Sequence, residues 1–188
     1  MGGSQVTLII VVLVILLPVI WAILQYNGLV SLRNHIREAA SNIDTELKRR
    51  YDLIPNLVST VKAYAAHERE VLEKVTMARD RCMRSTGTPG AKAPAEQEMS
   101  RGVTQLLARA EAYPDLKADK NFLQLQEELS VTEDRIQAAR RFFNGNVRDY
   151  RNKCEQFPSS LIASAFGFRP EDYFDVDPSV REVPATRF

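Results

Sequence analysis

Histidine and cysteine are scarce in this chain, with two of each, and neither sign of charge is in excess. The segment "HERE", His67 to Glu70, opens like the zinc-protease motif HExxH. The second imidazole would have to stand at position 71, which is Val71, so the helix face offers zinc a single ring and His67 reads as a surface histidine. Cys82 and Cys154 are far apart and form no CxxC, which excludes a zinc ribbon and a thioredoxin-type motif. One disulfide is open to them; two unpaired cytosolic thiols are the commoner outcome. No GxxxxGK[ST], GxGxxG or GxSxG occurs, and "GFRP" and "NGN" read as punctuation. Lys plus Arg number 25 against 24 Asp plus Glu, leaving a net charge of +1. Such a balance provides no field for nucleic acid, so no nucleic-acid partner is expected. Carboxylates are plentiful but interleaved with bases, as on solvated helix faces. No catalytic, cofactor-binding or metal-binding residue is assigned, and the chain is expected not to be an enzyme.

Charge is also missing locally. "VTLIIVVLVILLPVIWAIL", Val6 to Leu24, has none, and the first charged side chain is Arg33. As a helix this run spans about 28 Å, close to the hydrocarbon core of a bilayer. Lipid forces such a segment to satisfy its own backbone hydrogen bonds, hence a helix. Trp21 and Tyr26 suit the membrane–water interface, and Pro18 brings a mild kink. A cleaved signal peptide is the rival reading. Against it, "MGGSQVT" lacks Lys and Arg, and no A-x-A site follows the apolar run. Residues 1–28 are therefore read as an uncleaved single-pass anchor in the cell membrane. Arg33 and Arg37, then Lys48, Arg49 and Arg50, all follow it, so the positive-inside rule puts the N-terminus outside and the rest in the cytoplasm.

Beyond the anchor, apolar residues recur at alternating steps of three and four: Leu32, Ile36, Ala39, Ile43, Leu47, Tyr51, Ile54, Val58, Val61, Ala65, then Leu72 and Val75. This is the stripe of an amphipathic or coiled-coil helix. The phase survives Pro55, although a proline costs a helix the bond to the i−4 carbonyl, here that of Tyr51, and about 3 kcal/mol. One helix from the membrane to about Arg84 is predicted, bent or locally opened near Tyr51 to Ile54. Glu46–Arg50 and Glu70–Lys74 have the favourable i,i+4 order of exposed pairs.

"STGTPGAKAPA", Ser85 to Ala95, reads as an exposed loop. A second helix is predicted over Pro94 to Ala112, with Met99, Val103, Leu106, Leu107 and Ala110 inward, and "YPDLKADKN" then breaks the pattern. A third long helix is predicted from Lys120 to Glu155, striped by Phe122, Leu125, Leu129, Ile136, Ala139, Phe143, Val147 and Tyr150. A short helix follows at Ser159 to Phe166, ended by Gly167 in the left-handed conformation. Phe166, Phe168, Tyr173 and Phe174 are expected to cover the bundle end. No stretch alternates as a strand does. The fold class is all-α: an N-terminal transmembrane helix, then an antiparallel bundle of three long helices plus a short C-terminal helix over 29–174, and an extended tail over 175–188.

"KRR", Lys48 to Arg50, is the sharpest basic cluster. On an upright helix it stands about 36 Å beyond Leu24, too far to meet lipid head groups across several Debye lengths. Salt bridges within the chain or to a partner are expected instead, with Asp44, Glu46 and Asp52 close by in sequence. A costly proline and dense charge coincide here, so Arg49, Arg50, Asp52, Pro55 and Asn56 are the candidate interaction or kink site. The alternative is that they only hold the bundle together.

Three stretches resemble the LemA family of bacterial membrane proteins: "YNGLVSLRNHIREAASNIDTELKRRYDLIPNLVSTVKAYAAHEREVL", "YPDLKADKNFLQLQEELSVTEDRIQAARRFFNGNVRDYRNK" and "FPSSLIASAFGFRPEDYFDVD". They cover most of the chain after the anchor, in family order. Ala63 stands where the family usually has Gly, and Ala40 where an aromatic is common. The resemblance implies a single-span anchor and an all-helical bundle, and it supplies no catalytic residue. Relatives are often encoded near membrane metalloproteases of the HtpX type, which hints at membrane-protein quality control and a membrane protease system as partner. The function expected is a non-enzymatic membrane-anchored scaffold or adaptor, contacting lipid through the anchor and an unidentified protein through the bundle. The alternatives are a self-assembling, membrane-organising or membrane-remodelling protein and a subunit of a membrane enzyme.

Overall fold

The computed structural model describes residues 2–174, apart from the side chains of Ser4 and Val6. The extended tail expected over 175–188 lies outside the described residues. The secondary structure is helical throughout: α1 Gly3–Tyr64, α2 Arg69–Arg84, α3 Pro89–Ala110, α4 Pro114–Ala118, α5 Lys120–Glu155 and α6 Ser159–Ala165, with no strand among the described residues. The all-α expectation, with its long apolar N-terminal helix, holds.

Pro18 and Pro55 both lie inside α1, which stops at Tyr64 rather than continuing to Arg84. The chain reverses over Ala65–Glu68, where the Glu68 amide donates to the Ala65 carbonyl at 3.1 Å. The stripe keeps its phase across this turn because both helices face one core. Leu72, Val75, Ala78 and Cys82 of α2 join Ile54, Leu57 and Val61 of α1 in a single buried cluster. A straight helix to Arg84 would have left that edge of α2 exposed to water, at about 25 cal/mol per Å².

The helix after the loop begins five residues before its expected start. "TP" at 88–89 is a start signal: the Thr88 hydroxyl accepts from the Ala91 amide at 3.4 Å, and Pro89 occupies the first helical position. Pro94 lies inside α3, and the loop shrinks to a few residues around Gly87, whose φ is 115°. "YPDLKADKN" holds the five-residue α4. The α5 bounds match the expectation, its start capped by Asp119, whose Oδ1 accepts from the Phe122 amide at 2.9 Å. Gly167, at φ 71°, closes α6 as expected. Gly167 N–H donates to Ser164 and Phe168 N–H to Ala163, the paired bonds of a Schellman turn.

The chain divides into two compact units. One comprises Met1–Glu38 and Gly145–Glu171. In it Leu29, Ile36, Val147, Tyr150, Ala163 and Phe168 are buried, whereas the large apolar residues from Leu8 to Leu17 are all exposed. The helix carrying that run is long and apolar enough to cross a membrane. The other unit comprises Ala39–Asn144 and the described residues from Asp172 on. Here α3 runs parallel to α1, while α2 and α5 run antiparallel to it, as the pairs Asp44–Lys92, Tyr51–Arg79 and Tyr64–Asp119 require. Of the aromatics expected to cover the bundle end, Phe168 and Phe174 are buried and Phe166 is exposed.

Phe174 is pinned by a residue that reads as mere punctuation in the sequence. Asn144, the first residue of "NGN", receives the Phe174 amide on Oδ1 and donates through Nδ2 to the Phe174 carbonyl, both at 2.9 Å. The Arg140 guanidinium lies 4.5 Å from the centre of the same ring. Asn144→Ala breaks both bonds and leaves a buried amide and carbonyl without partners. We expect a loss of about 1–3 kcal/mol in denaturant midpoint measurements, with the leading edge of any proteolysis at residues 169–174.

Candidate functional site

The stripe that buries Ile43, Leu47, Ile54 and Leu57 also carries Arg50 inward. Its side chain is 2% exposed, and that of Glu96 on α3 is 0% exposed. Arg50 Nη2 donates to Glu96 Oε2, and Nη1 donates to Ser100 Oγ at 2.8 Å and Glu133 Oε2 at 2.7 Å. Tyr51 completes the cluster by donating its hydroxyl to Glu96 Oε1. One guanidinium thus ties α1 to both α3 and α5. Its Nε, also buried, has no partner among the described residues. A charge this far from water persists only where its partners are in place. Glu133, about a third exposed, stands where the cluster meets a groove of ≈ 470 Å³ that Ser100, Thr104, Gln126 and Ser130 also line.

The neighbouring groups are held protonated. Burial, and then the hydrogen bond to Glu96, push the Tyr51 phenol far above its ordinary value. Burial, and then the charge of Glu96, push the Cys82 thiol from 9.0 up to about 12. A nucleophile or base needs the opposite shift to work near neutrality. Cys82 should therefore resist iodoacetamide at pH 8 in the folded chain and react only on unfolding. The sign of the linkage follows: the folded pKa lies above the unfolded one, so this contribution to stability is complete below about pH 8.5 and is lost as the pH climbs towards 12. Denaturant midpoints falling across that window, and falling less in Cys82→Ser, would check it.

Pro55 has no N–H for the carbonyl of Tyr51, and α2 supplies the missing donor. Arg79 Nε reaches the Tyr51 oxygen at 2.9 Å, and Arg79 Nη1 also meets Asp80 at 3.2 Å. The helix stays continuous because the orphaned carbonyl is bonded from outside. The proline thereby converts a backbone oxygen inside α1 into a docking point for α2.

The five candidate residues separate. Arg50 faces the interior, whereas Arg49, Asp52, Pro55 and Asn56 are exposed on α1. Arg49, Asp52 and Asn56, at spacings of three and four, share one helix face. Asn56 lines a polar groove of ≈ 380 Å³ with Ser59, Thr60, Asn121, Gln124 and Glu128, between α1 and α5. The within-chain salt bridges expected of "KRR" form at Arg50, though among the described residues not with its sequence neighbours Asp44, Glu46 and Asp52. Arg50 pairs with Glu96 and Glu133, Asp44 pairs with Lys92 at 2.7 Å, and Glu46 Oε2 is buried without a partner among the described residues. Of the two expected i,i+4 pairs, Glu70–Lys74 forms at 2.6 Å, and Glu46–Arg50 does not among the described residues. At Arg50 the pull of two carboxylates from other helices wins. No sequence motif singles out Glu96, Glu133, Ser100 or Arg79. The one available signal is that Glu96 falls three residues before Met99, on the buried side of α3.

Residues 39–188, which contain all of these side chains, match the LemA family. The chain belongs to the LemA family. Its sequence is 28% identical over 137 residues to Protein LemA of Metamycoplasma hominis, covering 73% of this chain and 63% of that protein. It is 23% identical to Magnetosome protein MamQ of Magnetospirillum gryphiswaldense and 21% identical to Magnetosome protein MamQ 2 of Paramagnetospirillum magneticum. Each of those two alignments covers 95% of this chain and 75% of the relative. The chain thus spans less than two thirds of the M. hominis LemA but most of each MamQ protein. The LemA match begins at Ala39 and takes in the Arg50 cluster, the Pro55–Arg79 contact and the groove at Asn56, while the apolar run of α1 precedes it. The chain is a membrane-associated helical protein.

Proposed function

We propose that this LemA-family chain is a non-enzymatic adaptor, anchored by its N-terminal helix, with the face of α1 around Arg49, Asp52 and Asn56 as its docking surface for a protein. The observation that carries the reading is the division of labour on α1. The inward groups are saturated with one another, with Tyr51 and Cys82 held protonated, which leaves no activated nucleophile there. The outward groups are free to meet a partner beside a groove of amides, hydroxyls and the Glu128 carboxylate, edged by Leu53 and Leu125, that suits an extended polar peptide. The anchor confines the bundle to one membrane surface, which favours a partner bound at that membrane, such as a membrane protease system. The basic residues that follow the anchor support a cytoplasmic bundle with the N-terminus outside.

Photo-crosslinking in cells from Asp52 and Asn56, with His67 as a control position, tests the adaptor reading. A second protein captured from both positions, and lost in Arg49→Glu with Asp52→Lys, is the expected result. Adducts no stronger than those from His67 would overturn it. Crosslinks only between copies of the chain would favour the self-assembling alternative. A reporter fused after Phe188 should be active in the cytoplasm; activity only outside would reverse the topology.

A further inference from the structure

The unit formed by Met1–Glu38 and Gly145–Glu171 leaves three large apolar side chains in water at one end. Phe157 is 80% exposed, Leu161 59% and Phe166 62%. They flank and ride on α6, a helix too short to bury them itself. Their position is set by the antiparallel register of α5 against α1. The charge of Arg33 is felt at Tyr150, and Lys153 reaches Gly28, so closely that a Cβ there would meet its Nζ at 2.2 Å. Continuing from Lys153 carries the chain towards the apolar end of α1. Phe157, four residues on, comes about level with Leu24, the last residue of the apolar run.

Ring contacts fix the other end of α6 at the same height. The centre of Phe166 lies 4.9 Å from that of Tyr26, edge to face, and Phe168 lies 5.5 Å from it. Tyr26 and Phe166 share an apolar hollow of ≈ 290 Å³ with Val19, Ala22 and Ile23, all on the helix long and apolar enough to cross a membrane. Exposed Phe166 is therefore continuous with the surface of that segment.

We infer that α6 and its flanks form a second membrane contact, with Phe157, Leu161 and Phe166 inserted at the head-group boundary beside the point where α1 leaves the bilayer. The inference rests on α1 being a membrane anchor. The chemistry fits: aromatic side chains settle at the interface, and Lys153 and Arg169, at the same end of the unit, are of the sign that anionic head groups attract. An α6 held in this way braces the exit of α1, so the helix leaves the bilayer at a set angle instead of swivelling about a single span.

Trp21 is the sole tryptophan and makes the test self-controlled. The full chain is reconstituted in vesicles of phosphatidylcholine and phosphatidylglycerol with brominated acyl chains, and the loss of tryptophan emission is read. In the unaltered chain Trp21 should lose about half its emission or more. In a Trp21→Phe background, Phe157→Trp and Phe166→Trp should be quenched to a similar degree. His35→Trp, about 16 Å beyond Leu24 on α1, should barely respond. All three positions are exposed, so the fold tolerates the ring. Quenching of Phe157→Trp no greater than of His35→Trp, with Trp21 quenched, would overturn the inference and leave the anchor standing. Unquenched Trp21 would overturn the anchor itself. Shielding of both aromatics from bromine and from aqueous acrylamide alike would also overturn the inference, by assigning the patch to a second copy of the chain.

Discussion

Arg50→Met should destabilise the chain by about 3–5 kcal/mol, because it leaves the carboxylate of Glu96 buried without a cation. Urea unfolding of the detergent-solubilised chain, followed by helical circular dichroism, measures it. The size follows from where the charges are. Glu96 is 0% exposed, whereas Glu133 is 34% exposed and can turn outward once released. Glu133→Gln should accordingly cost far less, within about 1 kcal/mol, as expected of a partly solvated pair. Replacing Arg50 and Glu96 together by Met and Leu should recover most of the loss, since an apolar pair of similar volume carries no desolvation cost. A double variant as unstable as the single one would mean that the cluster serves to specify the fold and does more than balance its own charges.

The second large effect lies in the link between Pro55 and Arg79. Arg79→Ala removes a charged donor from the carbonyl of Tyr51 and should cost about 1.5–3 kcal/mol. Pro55→Ala restores the backbone N–H that α1 lacks and should offset part of the roughly 3 kcal/mol a helix-interior proline costs. The informative quantity is their coupling. Once Pro55→Ala supplies a helical bond to the Tyr51 carbonyl, the loss of Arg79 should hurt less, by about 1 kcal/mol or more in a double-mutant cycle. Strict additivity would show that Arg79 contributes through its packing or through Asp80, and that the carbonyl contact carries nothing.

Much of this architecture is legible in the chain itself. The uncharged run ahead of Arg33, the stripes of α1 and α5, the cap at Gly167 and the family runs around "ELKRRYDLIPNLV" all express local physics. Their periods, caps and lengths are written in neighbouring residues. The turn after Tyr64 is not legible, because a stripe that keeps its phase looks the same whether the helix continues or folds back. The start of α3 at Pro89 is masked by a Gly- and Pro-rich composition that reads as loop, although Thr88–Pro89 holds the cap.

The site is less legible than the fold. Arg50 sits among basic neighbours and looks solvated in sequence, and so does Glu96; only their approach from separate helices makes either tolerable inside. The sequence by itself determined that there is one apolar helix, that the rest is helical, and that Pro55 lies within a helix. Local periodicity and backbone chemistry suffice for those. The tertiary structure alone decided which of the five candidate residues turns inward, what binds the carbonyl that Pro55 orphans, and which aromatics stay exposed beside the anchor. Those outcomes depend on contacts between residues dozens of positions apart, where the desolvation of one group is balanced by a partner that no local pattern announces.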